Sequence, residues 1–194
     1  MNLAIIKYNA GNIQSVLNAL ERLGVKAEVT DSAEKIKSAD KVIFPGVGEA
    51  SSAMRSLKEN DLDQLIKQLK QPVLGICVGM QLLCEHSEEN NTDCLGIFDV
   101  PVKLIPATNG LKVPHMGWNK LHNQTDWLAN LPTDGYAYFV HSYYVPVNAF
   151  STASCGYGVE ICAALRKDNF YALQFHPEKS AEVGQAILKH FLLL

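Results

Sequence analysis

Pro72-Val73-Leu74-Gly75-Ile76-Cys77-Val78-Gly79-Met80-Gln81-Leu82-Leu83 is an apolar run behind a proline that passes directly into a second apolar cluster ending at Cys84. The first half reads as a buried strand and the second, from Met80, as the beginning of a helix. Between them Gly75-x-Cys77-x-Gly79 has the spacing of a nucleophile elbow, where a strand turns abruptly into a helix. Such a turn strains its central residue, and the flanking glycines leave room for two elements to meet. A sulfur held there is exposed at the carboxyl end of a strand, beside a helix N-terminus that favours negative charge. The competing reading is a small core cysteine in an ordinary strand-to-helix turn.

Towards the N-terminus the pattern repeats. Leu3–Ile6 reads as a strand, and Ile13, Val16, Leu17, Leu20 and Leu23 fall at helical spacing with Gly24 as a stop. Val25–Val29 and Lys41–Phe44 read as strands, the latter leading into Pro45-Gly46-Val47-Gly48. Ala53, Met54 and Leu57, then Leu62, Leu65, Ile66 and Leu69, continue as helices. Strands alternating with helices predict an α/β fold with a parallel, doubly wound sheet. Ligands of such sheets bind at the carboxyl ends of the strands, where Gly46–Gly48 and Cys77 both fall.

Beyond the polar run Glu88–Asp93 the apolar runs shorten and turn residues separate them. Val102–Ile105, Lys112–Pro114, Tyr136–Val140, Val159–Leu165 and Tyr171–Phe175 read as strands, and Val183, Ile187, Leu188 and Phe191 as a closing helix. The later strands add antiparallel members, so the expected fold is a mostly parallel mixed sheet flanked by helices. No linker divides it, and residues 1–194 are expected to form one domain.

With 194 residues and 47% hydrophobic content, a substantial single core is affordable. Seventeen basic against twenty acidic residues give a net charge of −3, and no basic stretch suits a phosphate backbone, so nucleic acid is not an expected partner. No apolar run is long enough for a membrane span, and the first residues lack signal-peptide flanks. Five cysteines without C-x-x-C pairs argue against a disulfide framework or a zinc site and fit a reducing cytoplasm. No cofactor or metal is expected. Cys84, Cys94, Cys155 and Cys162 read as core or incidental, and His86, His122 and His190 as surface residues without ligand spacing.

At the other end of the chain stands His176-Pro177-Glu178. In extended backbone, residues two apart share a side, and the residue before a proline is itself pushed towards extended geometry. His176 and Glu178 can then meet, the carboxylate holding the imidazole's tautomer and stabilising its charged form. Alone, this is better read as a surface pair in a loop. Beside an elbow cysteine it supplies what the thiol lacks, since a free thiol of pKa ~8.5 is only slightly ionised at neutral pH. The attacked carbonyl also needs donors for its oxyanion, worth ~3–4 kcal/mol each. The backbone N–H groups of Val78 and of Gly46, Val47 and Gly48 are the candidates. Gly46–Gly48 can equally be a plain turn, and no Walker-type lysine follows it.

The elbow with Met80-Gln81, the Gly46-Val47-Gly48 turn and His176-Pro177-Glu178 together resemble the triad, or class I, glutamine amidotransferases. Within that class, Tyr8-Asn9-x-Gly11-Asn12, His115-Met116-Gly117-Trp118-Asn119, Tyr138-Phe139-Val140-His141-Ser142-Tyr143 and Gln174–Ser180 resemble the glutaminase subunits of imidazole glycerol phosphate synthase. The resemblance runs the length of the chain, and the His-Met-Gly-Trp-Asn segment is its most specific part. It implies hydrolysis of L-glutamine to glutamate and ammonia, with Cys77 attacking, His176 relaying the proton and Glu178 orienting His176. It implies that Gln81 and His141, Ser142 and Tyr143 hold the substrate's α-amino and carboxylate groups, with Glu89 a further candidate for the amino group. It also implies a heterodimer with a (β/α)8-barrel cyclase subunit, docked near Asn9, Gly11, Asn12, Trp118 and Tyr138. Trp118 reads equally well as a core residue. Val78 stands where leucine is usual, and Glu49-Ala50 replaces a small-then-aromatic pair after the glycine turn. A paralogous glutaminase feeding a sugar amidotransferase, and a stand-alone cysteine hydrolase, remain alternatives.

Overall fold

The computed structural model describes residues 1–9, 12–107, 110–130 and 135–194. Leu3–Ile6 (β1) leads to Ile13–Arg22 (α1), Ala27–Thr30 (β2), Ala33–Ser38 (α2), Lys41–Gly46 (β3), Ala50–Glu59 (α3), Leu62–Gln68 (α4), Val73–Cys77 (β4) and Val78–Leu83 (α5). Short strands His86–Ser87 (β5), Thr92–Asp93 (β6) and Pro101–Leu104 (β7) precede His115–Lys120 (β8), Tyr136–His141 (β9) and Tyr143–Tyr144 (β10). Ser151–Gly156 (β11), Glu160–Lys167 (β12), Phe170–Leu173 (β13) and Ala181–Leu193 (α6) complete the chain.

Among the described residues, seven strands form the main sheet in the order β11-β12-β13-β4-β3-β1-β2. The five from β13 to β2 run parallel, and β12 and β11 add an antiparallel edge. Every residue of β1, β3 and β4 is buried, as expected of strands covered on both faces. The helices bury one stripe each: Val16, Ala19 and Leu20 on α1, Ala50, Ala53, Met54 and Leu57 on α3. Gly24, at φ +73°, ends α1 in a left-handed turn. The mixed, mostly parallel α/β sheet flanked by helices is the expected class.

Several boundaries differ from expectation. The strand expected over Val25–Val29 is Ala27–Thr30, because Val25 is still tied to α1 through its N–H to Leu20. No strand forms over Lys112–Pro114. Pairing begins one residue later, at His115 opposite His141, since proline has no N–H to give to a ladder. The last sheet strand ends at Leu173 rather than Phe175. Helix α2 buries only Ile36, too little for an apolar period to show, and starts where Ser32 Oγ accepts from Lys35 N–H. Strand β11, Ser-Thr-Ala-Ser-Cys-Gly, has no apolar alternation and is defined by its pairing with β12.

The antiparallel pair β8–β9 stands apart from the main sheet. Its register sets His115 opposite His141, Gly117 opposite Phe139 and Asn119 opposite Ala137 on one face. Met116, Trp118 and Lys120 lie opposite Val140, Tyr138 and Tyr136 on the other. The first face is buried around Phe139, whereas Met116, Trp118 and Tyr136 are exposed. No helix among the described residues is long and apolar enough to cross a membrane.

Helix α5 packs against β3 through Gly79. A Cβ there would fall 2.0 Å from the carbonyl oxygen of Phe44, a buried backbone atom that cannot swing aside. Gly79→Ala is expected to destabilise the fold by about 3 kcal/mol or more. Denaturant unfolding measures this, and an unchanged midpoint would show that the helix shifts freely.

Candidate active site

Cys77 is the last residue of β4, and α5 begins at the next residue, Val78. The abrupt turn puts Cys77 at φ 54°, ψ −111°, a conformation that L-residues rarely adopt. The flanking glycines are needed sterically: a Cβ on Gly75 would lie 2.7 Å from Leu83 Cδ1 and 3.1 Å from the Gly79 carbonyl. A Cβ on Gly46 would lie 2.7 Å from both Gly79 N and Tyr8 Oη. The helix thus starts at Val78, earlier than the apolar cluster at Met80 indicates, because the glycine junction needs no connecting turn.

His176 is delivered by the segment after β13, with its backbone clipped to β9. Its N–H donates to the Tyr138 carbonyl at 2.9 Å, Tyr138 N–H donates to Ser180 Oγ at 2.9 Å, and Ser180 Oγ donates to the His176 carbonyl at 2.7 Å. His176 Nδ1 lies 2.8 Å from Glu178 Oε1, with both side chains almost fully buried. The route to this pair is not the expected extended run. Only His176 is extended, at φ −96°, ψ 98°, and Pro177–Lys179 is a single 3-10 turn. Proline at the start of that turn fixes its first dihedral and curls Glu178 back under the imidazole.

Burial alone would lower the His176 pKa, but the closeness of Cys77, together with the hydrogen bond to Glu178 and its charge, raises it to about 10. Its Nε2 makes no contact of strict hydrogen-bond geometry. The Cys77 thiol instead lies 3.9 Å from the Val140 carbonyl oxygen, and its coupling to the ring is through proximity and charge. A protonated imidazole held by a carboxylate beside a thiol is the arrangement that a sulfur nucleophile requires.

Cys77 and His176 line one cavity of about 300 Å³. Val47, Gly48, Val78, Gln81, Glu89, His141, Ser142 and Tyr143 line it too, so the structure brings these candidate residues together. Gly46 is not among the lining residues. It packs behind, at the end of β3 opposite Cys77. Gln81 Nε2 donates to the Tyr143 carbonyl at 2.9 Å and to Gln174 Oε1 at 3.1 Å. Both amide protons are committed, which leaves its carbonyl oxygen as an acceptor suited to an ammonium group. Glu89 Oε2 accepts from Ala50 N–H at 2.7 Å, tying the start of α3 to the cavity wall. Burial raises the Glu89 pKa, Ala50 N–H opposes this, and Glu49 adds to the rise. The unusual pair Glu49-Ala50 is thus part of this junction, with Glu49 also bonded to Ser51 and Asn90.

Three residues at this site carry no role in the sequence reading. Pro114 and Val140 line the cavity, and Gln174, fully buried, supports Gln81. A buried polar residue two positions before His176 gives no sign of its burial in a single sequence.

Away from the cavity, Asn9 is exposed, with its N–H and Nδ2 donating to Ser56 Oγ and Ser52 Oγ. Asn12 adopts φ 67° before α1. Trp118 is 54% exposed, which excludes the core reading, and meets Tyr138 edge-on at 6.0 Å between ring centroids. Gly11 lies outside the described residues. His86 pairs with Asp93, and His190 packs near Trp127. Among the described residues, no group of His, Cys, Asp and Glu is placed to hold a metal ion.

Residues 4–194 match the family described as glutamine amidotransferase class-I. The chain is 59% identical over 196 residues to the imidazole glycerol phosphate synthase subunit HisH of Bacteroides fragilis, covering 100% of both proteins. The protein of the same description from Idiomarina loihiensis is 46% identical over 194 residues, covering 100% of this chain and 98% of that one. A solved structure described as a glutamine amidotransferase has the same fold, with a TM-score of 0.76 at 17% identity, covering 98% of this chain and 99% of the other.

Proposed function

The chain belongs to the class-I glutamine amidotransferase family, and from that membership we propose that it works as one glutaminase domain over residues 1–194 with a Cys77–His176–Glu178 triad. It is a glutaminase subunit of imidazole glycerol phosphate synthase, acting in histidine biosynthesis. The observation that carries the triad is the shared cavity: the elbow sulfur and the only imidazole paired to a buried carboxylate among the described residues open into one space.

In the proposed mechanism the Cys77 thiolate attacks the side-chain amide carbon of L-glutamine. The oxyanion is met by the N–H of Val78 and by an N–H of the Val47–Gly48 turn. Protonated His176 gives its proton to the departing nitrogen, releasing ammonia and leaving a glutamyl thioester on Cys77. Neutral His176 then takes a proton from water, which adds to the thioester and frees glutamate and the thiol. Gln81 Oε1 and Glu89 suit the substrate's α-ammonium, while Ser142 and Tyr143 line the wall where its carboxylate would rest. Ammonia passes to a cyclase subunit, a (β/α)8 barrel in this reading, in a cytoplasmic heterodimer. The exposed apolar face of β8–β9, with Met116, Trp118 and Tyr136 beside Tyr138, supports docking there. Glutamate release by the chain with its cyclase subunit tests the reading, and no release under any loading of the partner would overturn it.

Glu178 tests the triad separately. Glu178→Gln keeps an oxygen for His176 Nδ1–H but removes the charge that stabilises the imidazolium. Turnover is expected to fall by at least about tenfold, and alkylation of Cys77 by less. Wild-type turnover would reduce Glu178 to a loop carboxylate.

A further inference from the structure

His115 and Asn119 take no part in the mechanism above, yet they begin a chain of hydrogen bonds that ends at the substrate cavity. His141 Nδ1 lies 2.8 Å from the Tyr143 carbonyl oxygen. A carbonyl can only accept, so this nitrogen carries the proton. Burial pushes the His141 pKa down to about 4, the Tyr143 carbonyl opposing and the charges of His115 and His176 assisting, so the ring is neutral and its Nε2 is an acceptor. His115 Nδ1, 3.1 Å from that Nε2, must therefore be the donor. Burial likewise lowers the His115 pKa to about 4, which leaves its own Nε2 as an acceptor.

The far end of the chain closes on backbone as well. Asn119 Oδ1 accepts from Lys120 N–H at 2.8 Å, and its Nδ2 donates to the Gly156 carbonyl at 2.9 Å. Those two contacts fix which way the amide faces, and its Nδ2 lies 3.4 Å from His115 Nε2. The His115 ring is stacked on Tyr157 at 3.9 Å and on Phe139 at 5.0 Å between centroids, which holds its plane. Every proton from Asn119 to Tyr143 is thus assigned by partners that cannot reverse. At the cavity the Tyr143 carbonyl uses its second lone pair to accept from Gln81 Nε2.

We propose that His115 is a positioning residue for glutamine: it holds His141 in the Nδ1–H tautomer that anchors the Tyr143 carbonyl, and through it the Gln81 amide, at the cavity wall. The proposal rests on the glutamine reading of the cavity. Without the His115 donor, His141 Nε2 loses its partner, the opposite tautomer becomes accessible, and Tyr143 is left to Gln81 alone. The consequence falls on substrate affinity rather than on the thiol, because neither His115 nor His141 touches Cys77 by hydrogen bond.

Two measurements test it. Nitrogen-15 NMR of the histidine-labelled chain should show His141 with a pyrrole-type Nδ1 and a pyridine-type Nε2. A protonated Nε2 would overturn the proposal without any substitution, so a variant that fails to fold does not protect it. Glutamine affinity is then measured by calorimetry in a Cys77→Ser background, where turnover does not interfere. His115→Phe, which keeps the stack but not the donor, should weaken binding by about tenfold. His115→Asn, whose Nδ2 can take the place of the ring's Nδ1–H, should recover affinity to within about threefold of the parent. Equal affinity in the parent, Phe and Asn forms would overturn the proposal. If the parent itself takes up no glutamine, the glutamine reading fails instead, and the NMR result still decides the tautomer.

Discussion

Cys77→Ser is expected to lower glutamate release by at least about 10³-fold, because a hydroxyl is too weak an acid for His176 to ionise usefully. The companion result is selective labelling. A glutamine-like electrophile such as a diazo-ketone should modify Cys77 and leave the other four cysteines untouched. The structure supplies the reason. Burial pushes the Cys94, Cys155 and Cys162 thiols up to about 12 and the Cys84 thiol well above its ordinary value. Thiols held protonated are poor nucleophiles. Only Cys77 combines an elbow, a helix N-terminus and an imidazolium. Mass mapping that found equal labelling at Cys84 or Cys155 would remove Cys77 from its role.

The isolated chain should bind glutamine yet hydrolyse it slowly, and the cyclase subunit loaded with its nucleotide ligand should raise kcat by ~10²–10³-fold, more than it lowers KM. The turn from Gly46 to Ala50 is built to allow this. Its entry is anchored by Tyr8 Oη donating to the Pro45 carbonyl at 2.7 Å, and its exit by Ala50 N–H on Glu89. Between the anchors, Gly48 sits at φ +107° with nothing within 4 Å of where a Cβ would be. A peptide plane fixed at both ends and unpacked in the middle can rotate, and in the proposed switch one orientation aims its N–H at the oxyanion. One donor gained or lost accounts for the whole range. Asn9 ties the neighbouring loop to α3 through Ser52 and Ser56, so a partner pressing there has a direct path to the turn. Glutamate release measured with and without the partner decides the matter, and full activity from the chain alone would favour a stand-alone hydrolase.

The features most legible in the sequence were those in which chemistry and backbone geometry coincide locally. Gly75-x-Cys77-x-Gly79 announces a steric requirement, and the Cβ positions at Gly75 and Gly79 show that requirement met by neighbours on α5 and β3. The buried runs of β1, β3 and β4 and the helical stripes of α1, α3 and α4 were legible because a core face needs a regular period. Where the period was missing, the reading failed. Helix α2 offers the core only Ile36, and β11 consists of small polar residues that its partner strand, not its own pattern, makes into a strand.

His176 and Glu178 show a contact correctly expected through the wrong geometry. Proximity along the chain guaranteed that the side chains could meet, but whether they met across an extended run or a 3-10 turn depended on how Ser180 and Tyr138 clip the segment to β9. Trp118 had two readings that the sequence could not separate, because an aromatic among glycine and polar neighbours suits a core and a surface equally. The register of β8 against β9 separated them by setting its face outward.

By itself, then, the sequence indicated the mostly parallel α/β class, the elbow at Cys77 and the pairing of His176 with Glu178, because each depends on residues a few positions apart, where sterics and bonding act directly. The tertiary structure alone decided that Gln81, Glu89 and the His141–Tyr143 segment share a cavity with Cys77, and which groups face the ring nitrogens of the His115–His141 pair. Those arrangements depend on links far apart in the chain: Gln81 meets the Tyr143 carbonyl across 62 positions, and His115 meets His141 across 26. Their energies come from burial and from carbonyls contributed by other elements, and neither is written in the spacing of any one segment.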